Sequence, residues 1–172
     1  MRIGIDIDDT VAETYDFLKE EMLKRGIDLD SSKEFYFLSE DVKKFYLEKS
    51  DELSPFIPTK ENAVRTINNL KHKGHNIYFI TARGGYYKNP YEITYNWLKD
   101  SGFEFDDLIT GAGRKDTVCE ELNIDLFIDD SIDHIKEVSN KGIRTIIFTA
   151  KYNEEFSESE RINNWRDLED IL

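Results

Sequence analysis

The chain carries four short runs of β-branched and aromatic residues: "RIGIDI" at Arg2 to Ile7, "NIYFIT" at Asn76 to Thr81, "DLFID" at Asp125 to Asp129 and "IRTIIFT" at Ile143 to Thr149. These runs mostly lack the polar alternation of a strand with one wet face, which predicts buried strands in a parallel sheet. "DDLIT" at Asp106 to Thr110 is a weaker fifth candidate. Helical patterns fill the intervals: "KENAVRTINNLKHKG" with Val64, Ile67 and Leu70 in register, "NPYEITYNWLKDSG", "RKDTVCEELN", and "SIDHIKEVSNKG" opened by Ser131 and closed by Gly142. Strands that alternate with helices over short connections fold into a right-handed, layered α/β sheet.

One interval breaks the alternation. From Thr14 to Pro58 no convincing strand occurs, although Tyr15, Leu18 and Met22 keep helical spacing and "SEDVKKFYLEKS" predicts a second helix, with Ser39 as its cap and Asp41 in its first turn. Pro55 and Pro58 end it. The expected organisation is an α/β core of residues 1–13 and 59–172 with a small helical insertion at 14–58. The aromatics Phe35, Tyr36, Phe37, Phe45, Tyr46 and Phe56 either stack on a substrate or form the insertion's own small core, and the second is the preferred reading.

A formal charge of −13, from 36 acidic against 23 basic residues, repels phosphate backbones and anionic membranes, so no nucleic-acid or membrane partner is expected. The single cysteine, Cys119, excludes an internal disulfide and a cysteine-rich zinc site, and it reads as a buried structural thiol. No apolar run is long enough for a signal peptide or a membrane span, so a cytoplasmic location is expected.

The chemistry concentrates at strand ends. In an open parallel sheet, the loops at the carboxyl ends of the strands share one edge, and ligands bind there. Asp6, Asp8, Asp9 and Thr10 follow the first strand, Thr81 and Arg83 the second, and Asp129 and Asp130 the "DLFI" strand, while Lys115 opens a helix after "GAG". Carboxylates this crowded resist ionising together unless a cation compensates them. Without a His or Cys cluster, the donor set suits a hard cation with oxygen ligands, Mg²⁺ before zinc. An Asp beside such a cation can attack a phosphoryl group, and a second Asp two residues on can protonate the leaving oxygen. Thr81 and Lys115 would hold the transferring oxygens, and Arg83 would grip a phosphate or sugar or pair with carboxylates of the insertion.

In this set, "DIDDT", "FITAR", Lys115 and "LFIDDS" resemble, in order, the four motifs of the haloacid dehalogenase superfamily of phosphohydrolases. The resemblance implies a three-layer, Rossmann-like parallel sheet with a small helical cap inserted after the first strand. It also implies Asp6 as nucleophile, Asp8 as general acid and then base, and Mg²⁺ held by Asp6, the Asp8 carbonyl and the pair Asp129 and Asp130, with Asp130 the preferred ligand of the two. A closer likeness, to the 5′(3′)-deoxyribonucleotidases and their bacterial relatives, rests on the first motif followed by "VAE", the paired "IDD" and the tail "IIFTAKYNEEF" then "RINNW". It implies hydrolysis of a nucleoside monophosphate or another small phosphorylated metabolite. Asp9 stands where that family usually has Gly and is expected outside the metal shell, and the insertion is shorter than theirs.

A receiver-type signalling domain also places Asp, Thr, Lys and Mg²⁺ on a parallel sheet, but its phosphorylated Asp follows a middle strand, and this chain has none there. A binding protein that merely keeps the fold ranks last, because every motif residue is present. His72, His75 and His134 have no base-like partner in sequence and are expected to be surface or structural residues, as Trp97 and Trp165 are expected to be packing residues.

Overall fold

A computed structural model describes residues 1–27 and 40–172. The expected Ser39 cap and the aromatics Phe35, Tyr36 and Phe37 lie outside the described residues, as does the side chain of Asp41. The strands are β1 (Arg2–Ile5), β2 (Asn76–Ile80), β3 (Asp107–Ile109), β4 (Leu126–Asp129), β5 (Arg144–Phe148) and β6 (Glu160–Ile162). They form one six-stranded sheet in the order β3-β2-β1-β4-β5-β6, and every pair is parallel. The five runs read from sequence are strands; β6 is an addition, an edge strand whose "ERI" carries too little apolar pattern to be read.

Helices cover both faces, which is why the strands are apolar on both. Ile77 and Phe79 of β2 point into one core, shared with Ile67 and Leu70 of α3 (Ala63–His72), Trp97 and Leu98 of α4 (Pro90–Asp100) and Leu168 of α7 (Asp167–Ile171). Tyr78 and Ile80, one residue out of phase, point into the other, with Cys119 of α5 (Lys115–Glu121) and Val138 of α6 (Ile132–Ser139). The result is a three-layer, Rossmann-like α/β sandwich, and Cys119 is a buried, free thiol within it.

Between β1 and α3 lie α1 (Thr14–Leu23), α2 (Glu40–Leu53) and a 3-10 turn, Ser54–Phe56. Leu18 and Met22 of α1 meet Val42, Phe45 and Leu53 of α2 in a separate apolar cluster, with Tyr46 against its side and Phe56 exposed. The outgoing and returning chains are tied together: Glu13 N–H donates to the Pro58 carbonyl and Lys60 N–H to the Val11 carbonyl, both at 2.8 Å. Lys60 Nζ also reaches Glu13 at 2.9 Å.

Candidate active site

The strand order puts β1 at the centre of the sheet with β2 and β4 beside it, so their carboxyl ends converge. Backbone hydrogen bonds continue past the strands: Asp6 N–H donates to the Ile128 carbonyl and Thr81 N–H to the Ile109 carbonyl, each at 2.9 Å. The chain after Asp6 then turns about one acceptor, the Ile7 carbonyl, which receives the amides of Val11 and Ala12 at 2.9 Å. Asp9 has φ of 59° in this turn, in the left-handed region that Gly enters freely and Asp tolerates because its short polar side chain bonds locally. Its Oδ1 accepts from the Tyr15 amide at 2.8 Å, which explains how a non-glycine residue occupies the position.

The turn delivers Asp6 to a buried cluster. Oxygens of Asp6, Asp129 and Asp130 all lie within 4.8 Å of one another. Lys115, 1% exposed, donates from Nζ to Asp6 Oδ1 and to Asp129 Oδ2, the latter at 2.8 Å. Asp129 also accepts from the Ser131 amide at 2.8 Å and meets His134 Nδ1 at 3.2 Å. Asp130 has a different shell: Thr10 Oγ1 donates to Oδ1 at 2.7 Å and the Tyr152 hydroxyl to Oδ2, while Asn153 Nδ2 holds its backbone carbonyl at 2.7 Å.

These shells set the electrostatics. Burial raises the Asp6 pKa to about 6 against the pull of Lys115, and Asp129 and Asp8 add to the rise. Burial likewise pushes Asp130 well above the carboxylate range, with Asp129 and Asp6 reinforcing it. For Asp129, burial is outweighed by Lys115 and His134, and its carboxyl falls below the usual value. One lysine thus bonds two of the three buried carboxylates, and the third, Asp130, meets hydroxyl donors rather than a cationic side chain among the described residues. An all-oxygen, under-compensated cluster fits a hard divalent cation.

Asp8 lies outside this three-carboxylate cluster and lines the same cavity. Its carboxylate takes Arg83 Nη2 on Oδ1 at 2.7 Å and Arg83 Nε on Oδ2 at 2.9 Å, with Thr14 Oγ1 also on Oδ1 at 2.7 Å. Burial would raise its pKa, but the Arg83 guanidinium outweighs burial and lowers it. Thr81 is buried beside them, and its Oγ1 accepts from the Arg83 amide at 3.2 Å.

A cavity of about 320 Å³ opens over this edge, lined by Asp6, Asp8, Thr81, Lys115, Asp129 and Asp130, with Tyr46, Tyr86 and Tyr87 on its outer wall. The size matches a small-molecule site at its lower end. All the site residues expected from sequence converge here, but Arg83 meets Asp8 rather than a carboxylate of the insertion. His134 departs from expectation: the Ser131 cap turns the first turn of α6 toward the site, so the imidazole gains Asp129 as partner and lines the cavity. Trp165 does more than pack, since its Nε1 donates to the Thr10 carbonyl at 2.9 Å. Thr14, Tyr87 and Tyr152 were not read as site residues; only the Tyr-Asn pair of the tail gave any signal.

Fold and carboxylate site together define the class, a phosphohydrolase of the haloacid dehalogenase superfamily. The same fold is found in a superfamily hydrolase from Ehrlichia chaffeensis (TM-score 0.60, 17% identity, covering 99% of this chain and 94% of that one). It recurs in CbbY from Rhodobacter sphaeroides, solved in complex with phosphate (TM-score 0.67, 17% identity, 97% and 95% covered). The chain belongs to the family described as 5′ nucleotidase, deoxy (pyrimidine), cytosolic type C, which matches residues 1–172. A nucleotidase of Clostridium acetobutylicum is 26% identical over 183 residues, spanning 100% of this chain and 93% of that protein.

Proposed function

We propose that the protein hydrolyses nucleoside monophosphates in a Mg²⁺-dependent reaction that passes through an aspartyl phosphate on Asp6. The observation that carries the reading is the meeting of Asp6, Asp129, Asp130 and Lys115 in one small cavity, with a second Asp two residues beyond the first. Asp6, the Asp8 carbonyl and Asp130 would hold the cation, with Asp129 in support, because Lys115, His134 and the Ser131 amide already occupy Asp129. Bound there, Mg²⁺ supplies charge stabilisation for the phosphoryl oxygens.

Asp6 forms a bond to phosphorus as the ester P–O bond breaks, and the electron pair leaves on the alcohol oxygen, which takes a proton from Asp8. Arg83 favours the carboxylate form of Asp8, whereas a phosphate dianion in the cavity favours the protonated form, since a like charge raises a carboxyl's proton affinity. Asp8 then takes a proton from water as the water oxygen attacks phosphorus and the Asp6–phosphorus bond breaks. Thr81 and Lys115 hold the phosphoryl oxygens where charge develops. Arg83 was expected to bind phosphate as well; its side chain is engaged by Asp8.

Residues 14–58 act in this reading as a cap over the site, supported by their separate apolar cluster and by the pairing of the chain where it leaves and rejoins the core. Among the described residues no helix is long and apolar enough to cross a membrane, and a cytoplasmic enzyme with a small phosphorylated substrate is the reading adopted. The test is phosphate release with Mg²⁺ across deoxynucleoside and ribonucleoside monophosphates and sugar phosphates. Turnover on nucleotides that disappears in Asp6→Asn is expected; turnover unchanged in that variant refutes the assignment.

A further inference from the structure

The proposed chemistry needs the Asp8 carboxyl to face the leaving oxygen, so whatever fixes that carboxyl matters to the rate. Its clamp is unusually complete. Oδ1 accepts from Arg83 Nη2 at 2.7 Å, from Thr14 Oγ1 at 2.7 Å and, more weakly, from Arg83 Nε at 3.2 Å. Oδ2 accepts only from Arg83 Nε, at 2.9 Å, among the described residues. One oxygen is saturated, and the other keeps a lone pair for a proton.

Arg83 itself is enclosed. Its side chain is 1% exposed, and the guanidinium carbon lies 5.5 Å from the centroid of Trp97 and 6.0 Å from that of Tyr87. Both rings are pinned to the returning chain of the insertion: Trp97 Nε1 donates to the Ile57 carbonyl at 2.8 Å, and Ser54 Oγ donates to the Tyr87 hydroxyl at 3.3 Å. The remaining nitrogen, Nη1, is buried without a hydrogen-bond partner among the described residues. Nε and Nη2, the planar fork that matches a carboxylate or a phosphate, are already on Asp8, and Nη1 is buried rather than open to the cavity.

We infer that Arg83 is a positioning residue which, with Thr14, fixes the Asp8 carboxyl so that Oδ2 is the oxygen exchanging the proton, and that it is not a phosphate contact. The inference rests on the phosphohydrolase reading and deepens it: the specificity it sets is for the leaving group. An alkoxide needs a proton as it departs, whereas p-nitrophenolate does not. kcat/KM reports the steps up to alcohol release, so it isolates the half of the reaction in which Asp8 is the acid.

The experiment compares kcat/KM of wild type, Arg83→Gln and Thr14→Val on a nucleoside 5′-monophosphate and on p-nitrophenyl phosphate, together with inhibition by inorganic phosphate. Because positioned general acids contribute about 10²–10⁴-fold, Arg83→Gln is expected to lose about 10²-fold on the nucleotide and less than about fivefold on the nitrophenyl ester. The inhibition constant of phosphate should stay put. Thr14→Val should show the same selectivity with a smaller loss, and it carries the test alone if Arg83→Gln fails to fold by urea titration. Equal losses on both esters overturn the inference, as does weakened phosphate inhibition with kcat preserved, which would make Arg83 a phosphate contact. Wild-type protein silent on both esters, and indistinguishable from Asp6→Asn, would instead bring down the phosphohydrolase reading on which the inference stands.

Discussion

Lys115 and Asp129, fourteen positions apart, meet at 2.8 Å with each side chain 1% exposed, and the same ammonium also holds Asp6. Lys115 therefore has a structural role beside the phosphoryl-holding one proposed for it. Lys115→Met leaves two buried carboxylates without their cation, and breaking a buried pair from one side costs about 3–5 kcal/mol. Loss of turnover together with a large fall in the urea midpoint is expected; a variant as stable as wild type would show that water compensates the pair.

Asp130 would offer the proposed cation carboxylate oxygens that no cationic side chain holds among the described residues, because its partners there are the hydroxyls of Thr10 and Tyr152. Saturating Mg²⁺ should raise the melting temperature, since a ligand at a hundredfold its Kd stabilises by about 2.7 kcal/mol. Asp130→Asn should abolish most of that rise. Calorimetric titration of Mg²⁺ into both proteins checks it, and equal affinity would remove Asp130 from the ligand set.

The left-handed backbone at Asp9 gives a sharper prediction about stability than about catalysis. Asn tolerates this conformation and keeps an acceptor for the Tyr15 amide, so Asp9→Asn should leave the urea midpoint nearly unchanged. A β-branched residue does neither, and Asp9→Val should cost about 1–2 kcal/mol from the backbone alone. Comparison of the two midpoints decides it.

Trp165 is fully buried, stacks on Phe148 with centroids 5.7 Å apart, and satisfies the Thr10 carbonyl. Trp165→Phe keeps an aromatic ring and strands the carbonyl, at a cost of about 1–3 kcal/mol. Since Thr10 also bonds Asp130, a drop in Mg²⁺ affinity should accompany the drop in stability.

Away from the site, Asp106 accepts from Lys71 Nζ and from the Ile77 amide, each at 2.7 Å. Burial raises its pKa, but Lys71 and that amide more than offset it, so the folded value lies below 3.8. A depressed carboxyl contributes stability above its unfolded pKa, and that contribution is lost as pH falls through the folded one. Asp106→Asn should therefore cost about 1 kcal/mol at neutral pH and close to nothing once the pH is well below the folded pKa, read from paired urea titrations.

The strands β1, β2, β4 and β5 were legible because burial on both faces forces unbroken apolar runs, which few other contexts produce. β6 and α7 were not: Glu160 and Arg161 give β6 one apolar residue in three, and α7 is too short to show a period. In the site, Asp6, Asp8, Thr81, Lys115, Asp129 and Asp130 could be placed together because strand ends of a parallel sheet share an edge. Their partners could not, since Thr14 at the start of α1, and Tyr87 and Tyr152 on loops, are brought to the site by contacts distant in sequence. Arg83 was visible as a cation near the site, yet its pairing with Asp8 depends on Trp97 and Tyr87 closing around it.

The central position of β1 also bears on how the protein is made. β1 leaves the ribosome before either of its neighbours in the sheet, β2 and the much later β4. Until Leu126–Asp129 has been synthesised, the nascent chain carries an apolar strand with an open edge, the kind of surface on which unfinished proteins associate wrongly. The segment bearing Asp6 is thus made well before one of the two strands that enclose it, so translation speed between β1 and β4 should govern the yield of soluble product.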